Sequence, residues 1–158
     1  MAVYFFDSSG IVKNYISEQG SAWIKTLVDP LAGNMLYLAE ITGAELVSAI
    51  VRRQRRGATT FPDAAAAITT FRADFARAYF RLDITALLVA NAMGLVESHG
   101  LRGYDSVQLA AALALRDLCT ASGLPAPVFI AADAELNSVA VAERSDRRQS
   151  QQPLKSSG

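Results

Sequence analysis

The chain has 158 residues, of which 51% are hydrophobic, and 15 basic residues balance 15 acidic ones. That length suits a single domain with one substantial core, and the apolar content excludes a wholly disordered protein. Zero net charge carries no signal for a nucleic-acid or membrane partner, so any such partner must be argued from local patches.

In chain order, residues 3–6 form a short β-branched and aromatic run that ends at Asp7-Ser8-Ser9-Gly10, the pattern of a buried strand turning into a helix over 11–15. A second helix is expected over 21–28, closed by Pro30 and Gly33, and a second strand over 35–38. Residues 42–56 read as a long helix with Leu46, Val47, Ile50 and Val51 on one side, ended by Gly57. Phe61-Pro62-Asp63 opens an alanine-rich helix carrying Ile68, Phe71, Phe75 and Tyr79 at helical steps, and the two helices make a hairpin. A third strand is expected over 80–83, helices over 84–99 and 104–121, a fourth strand over 128–131 and a last helix over 133–143.

Strands separated by helices, with runs too apolar for a wet face, predict an α/β fold. Its expected form is a central parallel sheet of four to five strands covered by helices on both sides, an α/β/α sandwich. Residues 1–143 form its one domain, and the polar residues 144–158, with almost no apolar anchor, are expected to be a disordered tail. The N-terminus lacks the basic and long apolar regions of a signal peptide, and the longest apolar run, broken at Asn91, is too short for a bilayer. A cytoplasmic protein with no membrane partner is expected.

Cys119, the single cysteine, sits in an apolar helix and reads as a buried inert thiol. His99, the single histidine, stands beside Gly100 at a helix end, where it suits the helix dipole better than histidine-based acid–base catalysis, which usually needs two such groups. Trp23 and the series Phe71, Phe75 and Tyr79 read as core or partner-contact surface before base-stacking platforms.

Four acids stand far apart yet each falls where a strand or loop hands over to a helix: Asp7, Glu45, Asp105 and Asp133. Ligands of parallel sheets bind beyond the carboxyl ends of the strands, so Asp7 and Asp133 would share a rim. Each acid also has a local explanation. Asp7 and Asp133 suit helix caps, Thr42-Gly-Ala-Glu45 matches a capping box, and Asp105-Ser-Val-Gln108 comes close to one.

The joint pattern says more than its parts. Phe-Phe-Asp-Ser-Ser-Gly-Ile-Val-Lys-Asn-Tyr at the start, Glu45 before an apolar helix seam, Gly103-Tyr-Asp-Ser-Val-Gln-Leu-Ala-Ala-Ala112, and Phe-Ile-Ala-Ala-Asp133-Ala-Glu-Leu occur in one order. This order resembles the PIN-domain nucleases, in particular the VapC-type toxins of toxin–antitoxin pairs, over nearly the whole chain. The resemblance implies a PIN-like domain in which Asp7, Glu45, Asp105 and Asp133 are the catalytic acids and the ligands of Mg²⁺ or Mn²⁺, hard cations that take oxygen donors. It further implies an endoribonuclease that hydrolyses RNA at a metal-activated water to leave a 5′-phosphate, a homodimer, and an antitoxin protein docking on the helical hairpin. One departure is visible: Ala131 and Ala132 stand where the family often places a hydroxyl shortly before its last aspartate.

Substrate grip is expected from local cations. Arg52 and Arg56 follow Glu45 by two and three helical turns, about 10 and 16 Å, while Lys13 follows Asp7 and Arg102 precedes Asp105. Arg52, Arg53, Arg55 and Arg56 also suit a helix C-terminus on their own account. Two other functions compete. One is a non-catalytic PIN-fold module that binds RNA or protein. The other is a haloacid-dehalogenase-like phosphatase, which needs a second acid where Ser9 stands.

Overall fold

A computed structural model describes the backbone of residues 1–150 and the side chains of residues 1–143. Four strands, β1 (Val3–Phe6), β2 (Met35–Ala39), β3 (Phe80–Leu82) and β4 (Val128–Ile130), form one sheet in the order β3-β2-β1-β4. All three pairings are parallel, with Val3 opposite Met35, Phe5 opposite Phe129 and Leu38 opposite Arg81. Among the described residues, seven helices connect and cover the strands: α1 (Ser8–Tyr15), α2 (Ser21–Val28), α3 (Thr42–Arg55), α4 (Phe61–Arg77), α5 (Ala86–His99), α6 (Gly103–Ala121) and α7 (Ala134–Ser150). A single 3₁₀ turn at Pro30–Ala32 leads into β2.

Alternation along β1 divides the core. Val3 and Phe5 belong to a cluster with Leu88, Ala92 and Leu95 of α5, Leu109 and Ala111 of α6, and Leu136 of α7. Phe6 belongs to a second cluster with Ile11 and Val12 of α1, Ile24 of α2, Leu46 and Ile50 of α3, and Phe71 of α4. Successive strand residues point to opposite faces, so one helical layer holds α1–α4 and the other α5–α7. This is the expected α/β/α sandwich, with four parallel strands.

Several boundaries differ from expectation for local reasons. The first helix begins at Ser8, because Asp7 caps it by accepting from the Gly10 amide at 2.9 Å. The fifth begins only at Ala86, because the Thr85 hydroxyl caps it at the Leu88 amide. The backbone of α7 continues to Ser150, beyond the expected end at residue 143. Residues 151–158, the rest of the expected tail, lie outside the described residues.

The aromatic series of α4 is mostly core, as expected. Phe71 is buried edge-on against Tyr15, and the Tyr79 hydroxyl bonds that of Tyr15 at 2.6 Å. Trp23 is exposed. Cys119 is buried, in keeping with an inert thiol. His99 faces α7, with its Nε2 at 2.9 Å from Glu143, and Gly100 in a left-handed conformation closes α5. Among the described residues, no helix is long and apolar enough to cross a membrane.

Candidate functional site

β1 and β4 lie side by side and parallel, so the turns that follow them share one rim of the sheet. The Asp7 amide donates to the Ile130 carbonyl at 3.1 Å, which joins the end of β1 to the end of β4. Gly10 permits this closeness. A Cβ there would lie 2.6 Å from the Ile130 carbonyl oxygen.

Asp7 is only 3% exposed. Its Oδ1 accepts from the Gly10 amide at 2.9 Å and from the Ser9 hydroxyl at 2.6 Å. Ser9 Oγ in turn accepts the Ala132 amide at 2.8 Å. A hydroxyl from α1 thus holds the turn before Asp133, the stretch where Ala131 and Ala132 carry none. Burial raises the Asp7 pKa above the ordinary carboxylate range; the two hydrogen bonds oppose the rise, and the negative charge of Asp105 adds to it.

Glu45 and Asp105 occupy first turns of α3 and α6, but neither closes a capping box. Ile41 and Arg102 stand at the caps, with no side-chain cap bond at either. Glu45 Oε2 instead accepts from Gln108 Nε2, and the same nitrogen donates to Thr42 Oγ1 at 2.9 Å. Burial raises the Glu45 pKa, and the charges of Asp7 and Asp105 raise it further against the bonds from Gln108 and Ser8. Asp105 is raised by burial first, then by the charge of Asp133, with Arg102 opposing. Asp133 is exposed and caps α7, accepting from the Leu136 amide at 2.8 Å. Capping therefore accounts for Asp7 and Asp133 and leaves Glu45 and Asp105 unexplained.

An open groove of about 1010 Å³ is lined by Glu45 and Asp105, while Asp7 and Asp133 are not part of its lining. Glu45, Ser48 and Arg52 of α3 line one side, Val89, Met93 and Val96 of α5 another, and Arg102, Tyr104 and Asp105 the end at α6. Its apolar side is formed by Val89, Met93 and Val96 of α5, and no α4 residue lines it. Arg52 and Arg102 line the same groove as Glu45 and Asp105. Lys13 and Arg56 are not part of the lining. Lys13 Nζ donates to the Gln19 carbonyl at 2.6 Å and approaches Glu18, and Arg56 ends α3.

The four acids are linked by charge without forming a closed chelate: among the described residues, no three His, Cys, Asp or Glu side chains stand as a group able to hold a metal. The donor set is nonetheless all oxygen, and neighbouring negative charge adds to the raised proton affinity of Asp7, Glu45 and Asp105. Both properties suit a hard divalent cation. Gln108, fully buried and bonded to Glu45, was missed as a contributor to the site. The only signal for it in the sequence was its place one turn after Asp105, on a helix whose neighbouring positions are apolar.

No protein-family model and no curated protein matches the sequence. Among solved structures, the crystal structure of Mycobacterium tuberculosis VapC20, described as a sarcin–ricin loop cleaving toxin, is similar over 87% of this chain and 94% of that one. The TM-score is 0.58 and the sequence identity 16%. The likeness is one of fold. The four-stranded parallel sheet and its two helical layers form a PIN-like α/β sandwich, and at this identity nothing finer is carried over.

Proposed function

We propose that this protein is a divalent-cation-dependent endoribonuclease, the toxin of a toxin–antitoxin pair. The observation that carries the reading is that Glu45 and Asp105, drawn from separate handover points, line one groove together with Arg52 and Arg102. The charges of Asp7 and Asp133, at the ends of adjacent strands, act on that pair. Two of the four have no capping role to explain them. The fold shared with a toxin described as cleaving the sarcin–ricin loop supports the substrate class.

Asp7, Glu45 and Asp105 would hold Mg²⁺ or Mn²⁺, with Asp133 at the rim. The cation, when bound, supplies a nucleophilic water at neutral pH and offsets phosphate charge. The chain's own residues do the rest. Arg52 and Arg102 hold phosphates flanking the scissile one, and burial of Asp7 keeps its carboxylate oriented by Ser9 and Gly10. Exposed Met93, Val96 and Tyr104 beside the groove offer apolar surface for a second copy or an antitoxin helix.

A second reading, a PIN-fold module that binds without cutting, draws support from the absence of a closed carboxylate group among the described residues. The test is cleavage of a pool of structured and single-stranded RNA with Mg²⁺, Mn²⁺ or EDTA, with product ends mapped. Metal-dependent cuts leaving 5′-phosphates support the nuclease. RNA bound without cuts in either metal supports the binding module.

A further inference from the structure

Gln108 is 1% exposed on α6, one turn after Asp105 and one turn before the buried Ala111 and Ala112. Both donor bonds of its amide go to α3, to Thr42 Oγ1 and to Glu45 Oε2, across 66 and 63 residues of sequence. Its Oε1 is buried with no hydrogen-bond partner among the described residues. With Glu45 ionised, only the amide nitrogen can face its carboxylate, which leaves Oε1 on the unmatched side. The side chain thus keeps an unmatched buried oxygen in order to present its nitrogen to Glu45. A purely space-filling residue gains nothing by this.

We propose that Gln108 is a positioning residue for Glu45. It clamps the carboxylate of α3 from α6, the helix that carries Asp105, so that the two acids present a fixed pair of oxygen donors to the cation. The proposal rests on the metal-dependent reading above. Glu45 is a long side chain in a first turn with no cap to hold it, and without the amide only the Ser8 hydroxyl remains to fix its carboxylate. Partners of this kind, one bond removed from a ligand, typically change metal affinity by about 10- to 100-fold when removed.

The experiment is Mn²⁺ titration of the full-length, RNA-free protein, followed by calorimetry or by the resonance of free Mn²⁺, with thermal midpoints measured alongside. The proteins are wild type, Gln108→Met, Glu45→Gln and the double variant. The expected result is a folded Gln108→Met protein with a lowered midpoint, because Thr42 and Glu45 lose their donor, and about tenfold weaker Mn²⁺ binding. In the Glu45→Gln background, Gln108→Met should weaken binding no further. Wild-type affinity in Gln108→Met, or the full loss repeated in the Glu45→Gln background, overturns the proposal and leaves the nuclease reading standing. Wild-type protein that binds no Mn²⁺ overturns both. Should Gln108→Met fail to fold, Gln108→Asn, polar but a methylene too short to reach Glu45, must show the same loss, and wild-type affinity there overturns the proposal.

Discussion

Ser9 Oγ lies 2.6 Å from Asp7 Oδ1 and also accepts the Ala132 amide, so one hydroxyl ties the acid after β1 to the turn that carries Asp133. Ser9→Ala removes a bond to a buried carboxylate, an effect of about 1–3 kcal/mol on stability. The Asp7 pKa, already raised by burial, should rise further, because the Ser9 bond is the largest influence lowering it. The acid limb of the pH–rate profile should therefore move to higher pH in Ser9→Ala and return in Ser9→Thr. An unmoved limb would separate Asp7 from the rate.

Gly10→Ala sets two effects against each other. A helix gains up to about 1 kcal/mol from the exchange, but the new methyl would meet the Ile130 carbonyl oxygen at 2.6 Å. Backbone cannot swing aside as a flexible side chain can, so the clash wins, with a net loss of about 1–3 kcal/mol. Denaturant midpoints check this. A stabilised Gly10→Ala protein would show that α1 and β4 do not approach so closely.

Burial raises Asp7, Glu45 and Asp105 alike, which gives a definite pH dependence. Each carboxyl holds its proton more tightly folded than unfolded. Their contribution to stability is full below the ordinary carboxylate range and is lost as pH rises through the raised folded values. In EDTA the thermal midpoint should thus be higher at mildly acid pH than at neutrality, and Asp7→Asn should flatten the slope. A cation that binds only the ionised acids reverses the trend, adding about 2.7 kcal/mol at a concentration 100 times its Kd. A midpoint at pH 7 indifferent to Mn²⁺ would contradict the metal reading.

The fold was legible because the strands are short apolar runs ending in turn chemistry. Phe6-Asp7 and Ile130-Ala131 announce their strand ends without any knowledge of the partner strand. The site was legible only in part. Sequence spacing reports neighbours a turn apart, so Glu45 and Asp105 looked like members of capping boxes, whereas Glu45 bonds Gln108 across 63 residues. The same limit hid Ser9 as the source of the hydroxyl missing near Asp133, 123 residues from the amide it holds. Lys13, placed near Asp7 by helical spacing, turns to Gln19 because the turn between α1 and α2 offers it a carbonyl.

That difference among the cations has a measurable result. In an Asp7→Asn background that cannot cut, Arg52→Ala and Arg102→Ala should each weaken RNA binding and lower the slope of log affinity against log salt by about 0.7. Lys13→Ala should leave the slope unchanged, since its ammonium is engaged with Gln19 and Glu18. A slope altered by Lys13→Ala alone would put the RNA path on the α1 side of the molecule.

The central claim, that the acids hold a catalytic cation, is tested most directly at Asp105, which caps nothing and lines the groove. Wild type and Asp105→Asn are compared for RNA cleavage in Mg²⁺, Mn²⁺ and EDTA, with circular dichroism confirming the fold of both. The expected result is cleavage by wild type in metal alone and a loss of at least about 100-fold, 2.7 kcal/mol of transition-state stabilisation, in the folded variant. A folded Asp105→Asn protein that cuts RNA as wild type does would contradict the account.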